Sequence, residues 1–108
     1  MVPPPKRVDA VEVKNTTAQP LKFRAVYDDH KDKKEIVEEF TVAPGSSHTF
    51  GEKELNMGTW TAVAPIKRVE ADGPGGPHRL EPSVGGIVKL LQVSAAEAGG
   101  GVKLSQAH

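Results

Sequence analysis

The chain has 108 residues, with 14 basic and 14 acidic side chains and no cysteine. This length suits one domain, the balanced charge argues against a nucleic-acid partner, and the missing thiols exclude disulfides and cysteine nucleophiles. We find no signal peptide and no apolar stretch long enough to span a membrane. The sequence therefore predicts a cytoplasmic protein with no membrane partner.

The N-terminal residues 1–7 are rich in proline and charge, Met-Val-Pro-Pro-Pro-Lys-Arg. This composition favours an extended, solvated chain over packed structure. We predict a disordered arm over 1–7 and a single domain over 8–105.

Two segments with alternating polarity follow the arm. Val11 and Val13 alternate with charged residues within 8–15, and the apolar residues of 21–27 share one parity. A period of two residues is typical of a half-buried strand. Because turn-forming residues lie between the two segments, we predict that they pair as a hairpin.

The next strand is predicted over 36–42, after a charged connection. Ile36, Phe40 and Val42 share one face, and Glu38 interrupts it. An inward-pointing charge is a device that protects the edge of a sheet, so we predict an edge strand here. A turn over 43–47 then leads to a short fourth strand that begins at His48.

The middle of the chain predicts a strand over 59–64, continued over 66–71 past a bend at Pro65. We expect Trp60, like the other aromatic residues, in the core; only an exposed Trp60 would support carbohydrate binding. The segment 72–78 is rich in glycine and proline and predicts an irregular loop.

The segment 85–93 is apolar on both parities, which predicts a strand buried on both faces. Ile87, Leu90, Leu91 and Ala95 also fit helical spacing, so a short helix within 87–98 is the alternative. Three glycines then lead to a last strand at 102–105.

About seven strands with regularly spaced turns predict an all-β fold, a small antiparallel β-sandwich. The segments 11–15, 21–27 and 40–45 are similar to those of immunoglobulin-like sandwiches. This resemblance implies a fold and no ligand or catalytic residue.

The sequence offers little chemistry for a reaction or a cofactor. The histidines, His30, His48, His78 and His108, are 18, 30 and 30 residues apart, which matches no local metal-ligand pattern. Glu38 and Glu39 are adjacent and point to opposite faces of their strand, so they cannot act as one acid/base pair. We predict that the protein is not an enzyme and holds no cofactor.

We predict instead a non-catalytic module that binds a protein partner through loops or an edge strand. Two alternatives are a metal- or ligand-binding sandwich that uses the histidines, and a structural domain that self-associates through an exposed strand at 87–93. The candidate interaction loops contain Asp28, Asp29, His30, Lys31, Asp32, Lys33, Lys34, Gly73, Gly75, Gly76 and His78.

Overall fold

The computed structural model describes residues 7–73 and 76–107, and within them the chain forms twelve β-strands and no helix. The all-β prediction is confirmed. The strands are β1 Arg7–Val8, β2 Val11–Asn15, β3 Leu21–Asp29, β4 Lys34–Val42, β5 Ser47–Phe50, β6 Lys53–Asn56, β7 Thr61–Ala64, β8 Ile66–Gly73, β9 Gly76–Leu80, β10 Ile87–Val88, β11 Leu91–Ala98 and β12 Gly101–Ala107.

Eight strands form two four-stranded sheets. The first sheet has the order β12-β11-β2-β5, and the second has the order β4-β3-β8-β9. Within these two sheets, neighbouring strands are antiparallel except for the parallel pair β2 and β11. The short strands form two further pairs, β1 with β10 and β6 with β7. This arrangement is consistent with a β-sandwich.

The core draws on both sheets. Val11 and Val13 of the first sheet and Phe23 and Tyr27 of the second belong to one cluster of buried side chains. Alternate residues of β2, β3 and β11 enter it, as the two-residue period of a half-buried strand requires. The predicted parity of 11–13 and 21–27 is therefore confirmed.

The predicted hairpin between β2 and β3 is wrong. β2 pairs with β11 and β5, whereas β3 pairs with β4 and β8. The connection over 15–20 crosses from one sheet to the other, and the amide of Thr16 donates to Ala95 O. Alternation shows which face of a strand is buried, but it does not identify the neighbouring strand.

The segment 72–78 is mostly strand, which corrects the prediction of an irregular loop. β8 continues to Gly73, and β9 begins at Gly76 as its antiparallel partner. Proline is compatible with β9 because edge strands tolerate a missing donor. A Cβ on Gly73 would lie 2.8 Å from Val102 Cγ2, so Gly73 allows β8 to approach β12 closely.

The helix alternative for 87–98 is also wrong. Leu91, Val93 and Ala95 are buried while Gln92 and Ala96 are exposed, which is a strand pattern. The expectation that 85–93 is one strand buried on both faces is also wrong, because the segment is divided between β10 and β11 and because Ile87, Leu90 and Gln92 are exposed.

The remaining corrections concern the strand count and the arm. Twelve strands replace the predicted seven within the described residues, because the strand predicted to continue past Pro65 is divided into β7 and β8, and short strands such as β1, β6 and β9 were not predicted. The immunoglobulin-like topology is not confirmed. Arg7 belongs to β1, and residues 1–6 of the predicted arm lie outside the described residues. No helix in the described part of the chain has the length and apolar character needed to cross a membrane.

Candidate functional site

The charged segment 28–34 is a tight turn with strand at both ends. β3 continues through Asp29, and β4 begins at Lys34. The buried carboxylate of Asp29 accepts hydrogen bonds from the amides of Lys31 at 3.1 Å and Asp32 at 3.0 Å. The side chain of Asp29 therefore organises the turn, while residues 30–34 are exposed to solvent and Asp28 is half-buried.

The structure does not bring the two candidate loops together. Asp72, near the β8–β9 turn, pairs with Lys22 at the start of β3, whereas the 28–34 turn lies at the end of β3. The loops are thus at opposite ends of the second sheet. Gly73, Gly76 and His78 lie in the β8–β9 hairpin, and Gly75 lies outside the described residues.

The histidines are dispersed. His30 is exposed in its turn, His48 lies in β5, and His78 lies in β9. His108 is outside the described residues. No group of three or more histidine, cysteine, aspartate or glutamate side chains that could hold a metal ion occurs in the described ranges.

Exposed apolar side chains identify a different surface. Val37 is 48% exposed and Phe40 is 47% exposed, and both lie on β4. β4 has nine residues and is the longest of the four strands at the edges of the two large sheets. The prediction of an edge strand over 36–42 is confirmed, and we take β4 as the candidate functional site.

An aromatic stack joins this edge to the first sheet. The rings of Phe40 and His48 are parallel, with centroids 3.8 Å apart, and His48 meets Phe50 edge-on at 4.8 Å. Phe40 is thus supported on one side by β5 and open on the other. Its predicted place in the core is wrong, because an edge strand has no neighbour to cover its free side.

Ion pairs hold the carboxylates of β4. Glu38 pairs with Lys53 at 2.5 Å, and Glu39 pairs with Lys22 at 2.7 Å. Glu35 accepts from Arg68 at 2.9 Å and from Lys67 at 3.0 Å. Hydrogen bonds from Arg68 and then Lys67 lower the pKa of Glu35 to about 2. Glu35 therefore stays ionised over the pH range in which proteins are normally folded.

The face of the second sheet that carries Glu35 and Glu39 extends this network of ion pairs from β4 to β3 and β8. Arg24 forms two bonds of 2.8 Å to Asp72 and one of 3.0 Å to Glu70. Glu70 also accepts from Arg68 at 2.6 Å, and this bond is the main reason that its pKa is lowered. Three adjacent strands are linked, which favours a rigid support behind the free edge.

Tyr27, which pairs with Ile36 of β4, supplies a prediction about pH. Its buried hydroxyl donates to Gly51 O at 2.6 Å. Desolvation, and secondarily the charge of Glu38, raises the pKa of Tyr27 to about 12. Because unfolded tyrosine ionises at about pH 10, folding stability should fall as the pH rises from about 10 to about 12.

Tyr27 is the only tyrosine, so ultraviolet absorbance of phenolate reports on it alone. We expect a midpoint near pH 12 while circular dichroism shows a folded chain, and a midpoint of about 10 in denaturant. The Tyr27→Phe variant should lack the alkaline loss of stability. A midpoint of about 10 in the folded protein would contradict the burial of this hydroxyl.

Trp60 is a further correction to the predicted core. It lies in the turn between β6 and β7 and is 57% exposed. A carbohydrate site also needs convergent polar groups around the ring. The hydrogen bonds described at Trp60 are limited to its carbonyl, which accepts from the amide of Met57. We therefore assign no site to this ring.

A cleft of about 310 Å³ lies between the 15–20 connection and the β11–β12 turn. Its polar groups already serve the local structure. The Thr17 hydroxyl bonds to Asn15 Oδ1 at 2.6 Å, and Glu97 accepts from the Ala18 amide at 2.9 Å. These hydrogen bonds within the chain account for the polar groups that line the cleft, so we assign no ligand to it.

Comparisons with protein-family models, with curated proteins and with solved structures found no match. The candidate site thus depends on the residues themselves. Sequence reasoning located the edge strand through Glu38 but missed the exposure of Phe40. The only signal for that exposure was the same glutamate, which marks this face as incompletely buried.

Proposed function

We propose that this protein is a non-catalytic binding module that captures an extended segment of a partner protein along the free edge of β4. The observation that carries the proposal is the exposure of two large apolar side chains, Val37 and Phe40, on the longest edge strand. Among the five large hydrophobic side chains described as exposed, these are the two that belong to a strand at the edge of a large sheet.

An edge strand presents unpaired amide and carbonyl groups that an added strand can satisfy. Main-chain hydrogen bonds then supply affinity, and contacts with alternate side chains supply specificity. Val37 and Phe40 have opposite parity and so point to opposite faces of the second sheet. A segment beside β4 could contact both.

The charges of β4 are compatible with such docking. Edge charges prevent indiscriminate pairing between copies of a protein. Here Glu35, Glu38 and Glu39 already have cationic partners within the chain. A partner strand would not have to bury an unpaired carboxylate, which is the costly step in docking on a charged edge.

We would test the proposal by selecting extended peptides from a random display library against the intact protein. The variant Val37→Lys should bind the selected peptides with an affinity about tenfold lower or more, and a tenfold loss corresponds to about 1.4 kcal/mol of binding free energy. The matched control is Leu90→Lys, because Leu90 is also 48% exposed but lies outside the edge strands. Peptide binding should also slow hydrogen exchange of amides in β4.

Strand addition would be contradicted by peptides that bind the Val37→Lys variant as tightly as the original protein. It would also be contradicted by peptides whose binding leaves hydrogen exchange of the β4 amides unchanged. Equal losses in both lysine variants would indicate a general effect of added charge. Failure to select any peptide would also count against the proposal.

The loop form of the interaction hypothesis has less support. The two candidate loops lie at opposite ends of the second sheet and cannot form one continuous surface. The self-association alternative keeps only Ile87 and Leu90 as exposed apolar residues, since Leu91 and Val93 are in the core.

A further inference from the structure

We propose that the segment captured by β4 carries two consecutive basic residues flanked on each side by an apolar residue. This inference rests on the proposed function and specifies its partner. It comes from four consecutive residues of the edge strand, Val37, Glu38, Glu39 and Phe40.

These four residues alternate between the faces of the second sheet. Val37 and Glu39 lie on one face, and Glu38 and Phe40 lie on the other. Residues of an added strand lie directly opposite them in turn, close enough for side-chain contact. The edge therefore presents an apolar, an acidic, an acidic and an apolar position in sequence.

Both central carboxylates can accept a second cation. The Glu39 side chain is 45% exposed, and its contact with Lys22 uses Oε2. The Glu38 side chain is 39% exposed, and its contact with Lys53 also uses Oε2. An ionised carboxylate has about four acceptor sites on its two oxygens, so capacity remains on each group.

Glu35 differs from these two residues. Its Oε1 accepts from Arg68, and its Oε2 accepts from both Arg68 and Lys67. Two cations thus already serve this carboxylate. We assign no basic residue of the partner to the position opposite Glu35.

The complementary segment is apolar, basic, basic and apolar. This order reads the same in both directions, so it applies to a parallel or an antiparallel partner strand. The apolar residues meet Val37 and Phe40, and lysine or arginine meets the two glutamates. Opposite charges placed directly across two strands attract, and like charges repel by a similar amount.

The test uses nine-residue peptides on the full chain. One peptide has Val-Lys-Arg-Val at its centre, and the other has Val-Glu-Asp-Val with identical flanks. We expect the basic peptide to bind about tenfold more tightly by fluorescence anisotropy, since two attractive pairs replace two repulsive ones. Its advantage should shrink as salt is added, and its binding should slow hydrogen exchange in β4.

Charge reversal in the protein should reverse the preference. The double variant Glu38→Lys/Glu39→Lys should favour the acidic peptide. The control Glu54→Lys/Glu81→Lys makes the same change in net charge at exposed residues outside β4 and should keep the preference for the basic peptide. If the first variant is misfolded, the comparison of the two peptide affinities for the original protein still tests the proposal.

The outcomes separate this inference from the proposed function. Equal affinity of the two peptides, with exchange in β4 slowed by both, would overturn the basic pattern and leave strand addition standing. No binding by the basic peptide, while display-selected peptides still protect β4, would have the same meaning. If neither designed nor selected peptides protect β4, both proposals are wrong.

Discussion

Asn15→Ala should lower the free energy of unfolding by about 2–4 kcal/mol, because it removes a buried side chain that satisfies several polar groups. Asn15 is fully buried at the end of β2. Its Nδ2 donates to Gln19 O at 2.7 Å and to Val42 O at 2.9 Å. Its Oδ1 accepts from the amide of Thr17 at 2.9 Å and from the Thr17 hydroxyl at 2.6 Å.

The same residue connects the core to the candidate site. Val42 is the last residue of β4, so the Asn15 amide fixes that end of the edge strand to the end of β2. The main chain of Asn15 also bonds to Gly45 and Ser46 in the turn after β4. We therefore expect Asn15→Ala to speed hydrogen exchange of the amides at the end of β4 and to lower the affinity of peptides that bind there.

Denaturant unfolding would measure the loss of stability. Lys14→Ala is the control, because Lys14 is the exposed neighbour on the same strand and surface substitutions usually change stability by less than about 0.5 kcal/mol. A loss below about 1 kcal/mol in Asn15→Ala would show that water replaces these contacts.

The faces of several strands could be predicted from sequence because their signal is local. Val11, Val13, Phe23 and Tyr27 follow a two-residue period that depends only on backbone geometry. The pairing of strands could not be predicted in the same way. β2 lies beside β11, about 80 residues later in the chain, and no local pattern encodes that choice.

The candidate site was predicted in part. Glu38 marked an edge strand because a charge among apolar residues is not compatible with full burial. Trp60 was placed in the core because large aromatic side chains are usually buried, whereas the residue lies in an exposed turn. The segment 72–78 was misread because glycine and proline usually break strands, while an edge hairpin tolerates them.

Removing both cations that pair with Asp9 should cost about 3–5 kcal/mol, because it leaves a buried charge without compensation. Asp9 is fully buried directly after β1. Arg7 Nε lies 2.7 Å from its Oδ1, and Lys89 Nζ lies 3.2 Å from its Oδ2. In the described structure Oδ2 has no hydrogen-bond partner, so the ion pair with Lys89 is its main compensation.

The double variant Arg7→Ala/Lys89→Ala tests this cost by denaturant unfolding, and adding Asp9→Asn should recover most of the loss. Both cations are at least partly exposed and Asp9 is not, so water can solvate the cations but cannot reach the carboxylate. The single variant Asp9→Asn should accordingly lose less free energy of unfolding than the double variant. If the triple variant is no more stable than the double one, the loss comes from packing by the Arg7 and Lys89 stems, and the buried charge is not its cause.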